Sequence, residues 1–143
     1  MKAFCIPLVL MILQSCDIPQ DPENSWHDAK NEQLLVGIVH NPPFTEWKDN
    51  NYLGSEVSMV KKFARENELQ IKWISASEST LIEMTKKYQL HLIIGGFDKN
   101  TVWANKVGTT RPYDKTHVWL VARGENKLIE NVEKYFLKNE EIQ

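Results

Sequence analysis

The stretch LHLIIGG, residues 90–96, decides the fold. A continuous apolar run of this length is typical of a strand that is buried on both faces. The run ends at two glycines, where the backbone can take a positive φ or be approached closely by other groups. A second run, LLVGIV at residues 34–39, ends before Pro42-Pro43, because proline cannot donate a hydrogen bond to a sheet. The two runs predict two buried strands, each followed by a loop.

Helical patterns occupy the chain between these strands. An amphipathic helix opens at residues 54–56, and its apolar side chains recur at helical spacing. Residues 70–74 then alternate as a strand does. Ser75 and Glu78 have the spacing of a capping box, an N-cap hydroxyl with a glutamate three residues later, and predict the start of a second helix.

The last third of the chain continues the same alternation. Thr101 is placed to cap a short helical turn through Lys106, and strands are predicted at residues 107–110 and 116–121. Strands that alternate with helices predict an α/β fold with a mainly parallel sheet and helices on both faces. The clearest helical stripe closes the chain, at Leu128, Ile129, Val132, Tyr135 and Phe136.

Length and composition are those of one soluble domain. The chain has 143 residues, of which 42% are hydrophobic and 25% charged. Its 17 basic and 19 acidic side chains give a formal charge of −2. Binding to nucleic acid depends on a basic surface that neutralises phosphates, so a nucleic-acid partner is not expected.

The N-terminus has the pattern of a lipoprotein signal peptide at residues 1–15. Lys2 supplies a positive charge, an apolar stretch follows, and Leu13-Gln14-Ser15-Cys16 resembles a bacterial lipobox. Lipidation is therefore expected at Cys16, and an ordinary cleaved signal peptide or an uncleaved anchor remains the alternative. Cys5 would be removed with the signal, so disulfides, thiolate zinc sites and cysteine nucleophiles are not expected.

A lipidated, flexible tether is predicted over residues 16–33, which are rich in Pro, Asp, Asn, Gln and Glu. The folded domain is then expected over residues 34–138, with a tail at residues 139–143. Two or more lipid chains hold a protein stably on a membrane. The expected location is the cell membrane, on its periplasmic or extracellular side. Asp17 resembles a retention signal for the inner membrane, should the organism be Gram-negative.

Two predicted loops are candidates for a ligand site. In sheets of this kind, ligands bind beyond the carboxyl ends of the strands, where loops and helix N-termini gather. Trp103 is expected either to stack on a flat or cationic ligand or to act as a hydrophobic plug. Arg111 is either a ligand-binding or a structural residue. The candidate ligand-binding residues are Asn41, Phe44, Gly95, Gly96, Phe97, Asp98, Trp103 and Arg111.

Catalytic, metal and cofactor motifs do not stand out. The four histidines, His27, His40, His91 and His117, are scattered without the spacing of a metal site. The sequence has neither a glycine-rich phosphate loop nor a nucleophile elbow of the G-x-S-x-G type. We expect neither an enzyme nor a bound cofactor or metal.

The order of short motifs resembles that of bacterial extracellular solute-binding proteins, family 3, the periplasmic amino-acid-binding components of ABC importers. The resemblance implies two α/β lobes that trap a ligand between them, of which this chain has the first lobe and its closing helix. An accidental truncation remains the alternative. The motifs are Leu35-Val36-Gly37-Ile38, Pro42-Pro43-Phe44, Gly54-Ser55-Glu56-Val57, Leu92-Ile93-Ile94-Gly95-Gly96 and Pro112-Tyr113.

Two family positions are occupied differently in this chain. The arginine that clamps a ligand carboxylate in amino-acid-binding members falls on Trp103, and an acidic residue of the family falls on His91. Phe44 matches the aromatic residue that packs on bound ligand. The resemblance therefore implies a related site without its usual carboxylate clamp.

Two functional hypotheses follow. The preferred one is a membrane-anchored, non-catalytic lipoprotein that recognises a small solute or a peptide-like group on an open face near Phe44, Gly96 and Trp103, in an accessory role to transport. The alternative is a degenerate interaction or regulatory module that docks on a membrane transporter, sensor or envelope enzyme through the same aromatic face.

Overall fold

The structure, a computed structural model, describes residues 21–140. The predicted signal peptide and the lipidation site at Cys16 lie outside the described residues. Among the residues described, no helix combines the length and apolar character needed to cross a membrane. The helices are α1 (Ser25–Asn31), α2 (Ser55–Glu66), α3 (Glu78–Lys86) and α4 (Asn126–Glu140), with a 3₁₀ turn at Val102–Asn105. The strands are β1 (Leu34–Ile38), β2 (Glu46–Lys48), β3 (Asn51–Leu53), β4 (Ile71–Ser75), β5 (Leu92–Asp98), β6 (Gly108–Thr109) and β7 (His117–Val121).

Five strands form one sheet in the order β4-β1-β5-β7-β6. β1 lies parallel to both β4 and β5, whereas β7 runs antiparallel to β5 and to β6. β2 and β3 form a separate antiparallel hairpin. The predicted α/β fold with a mainly parallel sheet is confirmed.

The core lies on both faces of this sheet. Alternate residues of β5 and β7 point to opposite faces, so Leu92 and Trp119 join one apolar cluster while Ile93 and Leu120 join the other. Helices α1, α2 and α4 cover the first cluster, and α3 covers the second. The predicted layers of helices on both faces are therefore confirmed.

Helix α1 is a correction to the predicted flexible tether. Ser25 and Ala29 are buried, and Trp26 packs against the first cluster. The backbone N–H groups of Glu23 and Ser25 donate to the buried carboxylate of Glu125, at 2.9 and 2.8 Å. The folded region thus includes residues that composition alone assigns to a linker.

Strand β5 does not end at the glycine pair as the sequence predicts. It continues to Asp98, with an irregularity in its pairing to β7 between Ile93 and Phe97. Gly96 adopts a φ of 66°, which only glycine takes readily, and this lets the strand bend and then resume.

The boundaries of α3 and α4 also differ slightly from prediction. The N-cap of α3 is Ser77, whose hydroxyl accepts from Thr80 N at 3.4 Å, because Ser75 is the last residue of β4. α4 runs to Glu140, two residues past the predicted end of the domain. Both corrections shift an element end by only two residues.

Candidate functional site

Three loops meet at the carboxyl edge of the parallel strands. They follow β4, β1 and β5, which are neighbours in the sheet with β1 in the middle. The loop after β1 contacts β5 itself through the Asn41 side-chain amide, which donates to Gly95 O at 2.8 Å. Asn41 itself is exposed. This edge is where ligands bind in open α/β sheets.

Phe44 fastens the β1 loop to this edge. Its half-buried ring lies 4.6 Å from the ring of His117, centroid to centroid. The ring also covers Gly96 so closely that a Cβ atom there would collide with it. The close approach explains the need for glycine at this position, and it gives Phe44 a packing role in the protein without ligand.

Glu56 accepts hydrogen bonds from the backbone N–H groups of Gly95 and Gly96, two of the candidate ligand-binding residues. Its Oε2 accepts from Gly95 N at 2.7 Å and from Gly96 N at 2.9 Å. Its Oε1 accepts from the Tyr113 hydroxyl at 2.8 Å. The two glycine N–H groups are therefore not free to bind a solute. Gly95 and Gly96 instead shape the irregular part of β5.

The buried position of Glu56 has an electrostatic cost. Burial raises the pKa of Glu56 above its usual value, and its three hydrogen-bond donors act in the opposite direction. Burial likewise raises the pKa of Tyr113, and the nearby Glu56 carboxylate adds to the effect. The sequence placed Glu56 at the opening of a helix, and its bonds to Gly95 and Gly96 were missed.

Phe97 and Asp98 point in different directions at the end of β5. Phe97 is 6% exposed and packs in the second cluster, so we leave it out of the candidate site. Asp98 is exposed, and its Oδ1 accepts from Asn100 N at 2.7 Å. That bond forms the turn leading to the 3₁₀ segment.

Trp103 lies in the 3₁₀ turn and is half-buried against the second cluster. The Thr101 hydroxyl caps this turn by accepting from Trp103 N at 3.4 Å, as the sequence predicts. The indole Nε1 donates to Glu78 Oε2 at 2.8 Å. Glu78 is the first residue of α3, so the bond joins the 3₁₀ turn after β5 to the N-terminus of the helix that follows β4.

Arg111 lies away from the glycine loop and is held by α4. Its backbone N–H donates to Glu133 Oε1 at 2.7 Å, and its Nη2 lies 3.7 Å from Glu140 Oε2. Of the two interpretations left open for Arg111, these contacts favour the structural one.

A groove of about 900 Å³ opens beside Phe44, between α2, the turn before β7, and the end of α4. Asp114 shapes that turn. Despite some desolvation, the N–H groups of His117 and Thr116 and the His117 ring hold the pKa of Asp114 below its usual value. The groove is lined by Phe44, Ser55, Ser58, Met59, Lys62, Tyr113, Asp114, Lys115, Tyr135, Phe136, Asn139 and Glu140.

Within residues 21–140, no group of three or more His, Cys, Asp or Glu side chains is arranged to hold a metal ion. His91 is buried, and its Nδ1 accepts from Leu35 N at 3.0 Å. Burial lowers the pKa of His91, which favours the neutral, accepting ring. His91 therefore joins β1 to the start of β5.

The sequence of this chain also matches the model of one protein family. The model of bacterial extracellular solute-binding proteins, family 3, matches residues 34–141. This chain belongs to that family. The resemblance seen in the sequence is confirmed, and the motifs that carried it lie in β1, β5 and the loops around the candidate site.

One curated protein that this chain resembles is a probable histidine-binding protein of Campylobacter jejuni. It is 23% identical over 115 residues, which make up 79% of this chain and 45% of that protein. The chain thus spans less than half of the length of the curated relative it matches.

Solved structures with the same fold include a single domain of a binding protein. The arginine-bound domain 1 of TmArgBP, in a phenylalanine-to-tryptophan variant, aligns with a TM-score of 0.72 at 22% identity. The alignment covers 82% of this chain and 98% of that domain. An ancestral amino-acid-binding protein, described as a precursor of cyclohexadienyl dehydratase, aligns with a TM-score of 0.72 at 10% identity, over 82% of this chain and 93% of its own. At these identities the likeness shows the fold alone.

Proposed function

We propose that this chain is a membrane-anchored, non-catalytic lipoprotein that recognises a small solute on one open lobe, as an accessory to transport. The observation that carries the proposal is that the connections after β4, β1 and β5 lie at the carboxyl edge of the sheet, where Trp103 is bonded to Glu78 and Asn41 to Gly95. Family membership supports solute binding as the use of that edge. The relatives that bind histidine or arginine make an amino acid or a peptide-like group the first class to test.

Affinity is expected to be modest. Binding pockets usually bury ~70 to 90% of a small ligand, whereas one lobe covers a single side of it. A membrane transporter, a sensor or a second copy of the chain would complete the enclosure. This requirement is consistent with a domain that is held close to the membrane.

A thermal-shift screen of amino acids and short peptides tests solute binding by the full chain in detergent. At ten times the Kd, a bound solute adds about 1.4 kcal/mol to the free energy of unfolding, a shift of a few degrees for a domain of this size. We expect this shift to be lost in Trp103→Ala and kept in Trp47→Ala, a matched change in the β2–β3 hairpin. Each variant is compared with its own baseline. Equal shifts in both variants, or none in the unchanged chain, would refute the proposal.

Anchoring rests on the lipobox, and it has its own test. Cells supplied with labelled palmitate are expected to label the chain and to retain it in the membrane fraction. Cys16→Ser should abolish both, whereas Cys5→Ser should change neither. Unchanged labelling in Cys16→Ser would show that the anchor is wrongly assigned.

The second candidate function is a docking module for a membrane transporter, sensor or envelope enzyme. The observation that favours it is the groove beside Phe44, whose aromatic lining includes Tyr113, Tyr135 and Phe136. Silence of the solute screen, together with partner crosslinking through a photoreactive residue at Ser58, would favour this function over solute binding.

A further inference from the structure

The indole ring of Trp103 contacts a cation from the same chain, the ammonium group of Lys106. The Nζ of Lys106 lies 5.3 Å from the centroid of the indole ring, within the distance of a cation–π contact. The ring is kept in place by its packing on the second cluster and by its bond to Glu78. The ring face therefore has a geometry that attracts positive charge before any solute binds.

Glu78 supplies negative charge at the edge of the same ring. Its carboxylate is exposed and accepts the indole N–H, which leaves its charge in place. Among the ion pairs formed within residues 21–140, none includes Glu78 or Lys106. The neighbouring Glu83, by contrast, pairs with Lys86 at 2.9 Å. Glu78 thus forms no ion pair in the described part of the chain, although the Lys106 ammonium lies over the ring that Glu78 adjoins.

We infer that Trp103 and Glu78 form a subsite for the cationic group of a solute, a guanidinium or an ammonium. We further infer that Lys106 occupies the ring face in the free protein and competes with that group. The inference rests on the proposed solute-binding function. The inference adds that the solute group bound by Trp103 and Glu78 is positively charged.

The chemistry of the two side chains supports a cation rather than a carboxylate. A planar guanidinium can lie over an indole ring while its N–H groups donate to a carboxylate beside the ring. An anionic group would instead face the negative Glu78 and the electron-rich ring. Because Lys106 must leave the ring face for the solute to stack there, its ammonium reduces the apparent affinity.

Calorimetric titration of the full chain in detergent with arginine and with citrulline tests the inference. Citrulline has nearly the shape of arginine but carries no positive charge on its side chain. We expect arginine to bind at least fivefold more tightly than citrulline. Glu78→Gln should weaken arginine binding by about tenfold and leave citrulline binding nearly unchanged.

The lysine variants test the competition. Lys106→Met should tighten arginine binding by about threefold, and Lys106→Arg, which keeps a cation at the ring, should not. Lys99→Met is the matched control, because it removes one positive charge from the same edge at a residue bonded to Lys115 O. Equal tightening in Lys106→Met and Lys99→Met would reduce the effect to net charge and overturn the competition.

The outcomes separate this inference from the proposed function. Solutes that bind at the edge without preference for arginine over citrulline would overturn the cationic subsite and leave solute binding intact. Failure of every solute in the screen to bind would overturn both. Weaker arginine binding in Lys106→Met would show that Lys106 supports the ligand rather than competing with it.

Discussion

Glu56→Ala is expected to lower the free energy of unfolding by about 3 to 5 kcal/mol. The fully buried carboxylate accepts from Gly95 N, Gly96 N and the Tyr113 hydroxyl. Alanine would leave these three donors unpaired in a largely apolar region, at a cost of about 1 to 3 kcal/mol for each group that stays buried. Urea unfolding followed by far-UV circular dichroism measures the loss.

Two variants separate the hydrogen bonds from a general effect of losing a glutamate. Tyr113→Phe removes one of the three bonds and should cost about 1 kcal/mol. Glu66→Ala makes the same substitution at the exposed end of α2, where the carboxylate has only a loose pair with Lys138 at 3.6 Å, and should cost under about 0.5 kcal/mol. Equal losses in Glu56→Ala and Glu66→Ala would contradict the role assigned to Glu56.

Glu125→Ala is expected to release α1 and to lower the free energy of unfolding by about 2 to 4 kcal/mol. The buried carboxylate accepts from Glu23 N and Ser25 N, so alanine leaves both donors without an acceptor. Loss of this anchor would also expose part of the surface that Trp26 and Ala29 cover. Hydrogen exchange should accelerate over Ser25–Asn31 more than in the rest of the chain.

The matched control for Glu125 is Glu130→Ala, on the exposed face of the same helix. Glu130 contacts Lys127 and Lys134, at 3.4 and 2.5 Å, and exposed pairs of this kind contribute little to stability. We expect no change in the exchange of α1 in this variant. Unaltered protection of Ser25–Asn31 in Glu125→Ala would show that α1 is held by its apolar contacts alone.

The strands and long helices were predictable because burial leaves a local pattern in the sequence. β1 and β5 are buried on both faces, so their apolar residues run together in the chain. α2 and α4 each cover the sheet with one face, so their apolar residues recur at helical spacing. Family motifs then added the arrangement of a single lobe.

The short helix α1 was not predictable in the same way. Only Ser25, Trp26 and Ala29 mark its inward face, which is too few positions for a period to emerge among polar neighbours. Its stability depends on Glu125, which lies about a hundred residues away in the chain. A composition typical of a linker therefore hid a packed element.

Part of the candidate site was visible in the sequence and part was not. Sheet topology placed Asn41, Asp98 and Trp103 at one edge, because the carboxyl ends of parallel strands lie together. The partners of those residues were not visible. The N–H groups of the glycine pair go to Glu56, and the indole of Trp103 goes to Glu78.

By itself, the sequence determined the strands of the main sheet, the helices α2, α3 and α4, and the family. Only the tertiary structure decided which polar groups are already satisfied within the protein and which stay exposed. The physical reason is the distance along the chain over which each kind of interaction acts. Hydrophobic periodicity is set by neighbours within a few residues, whereas the bonds of Glu56, Glu78 and Glu125 join groups that are distant in the chain and meet only after folding.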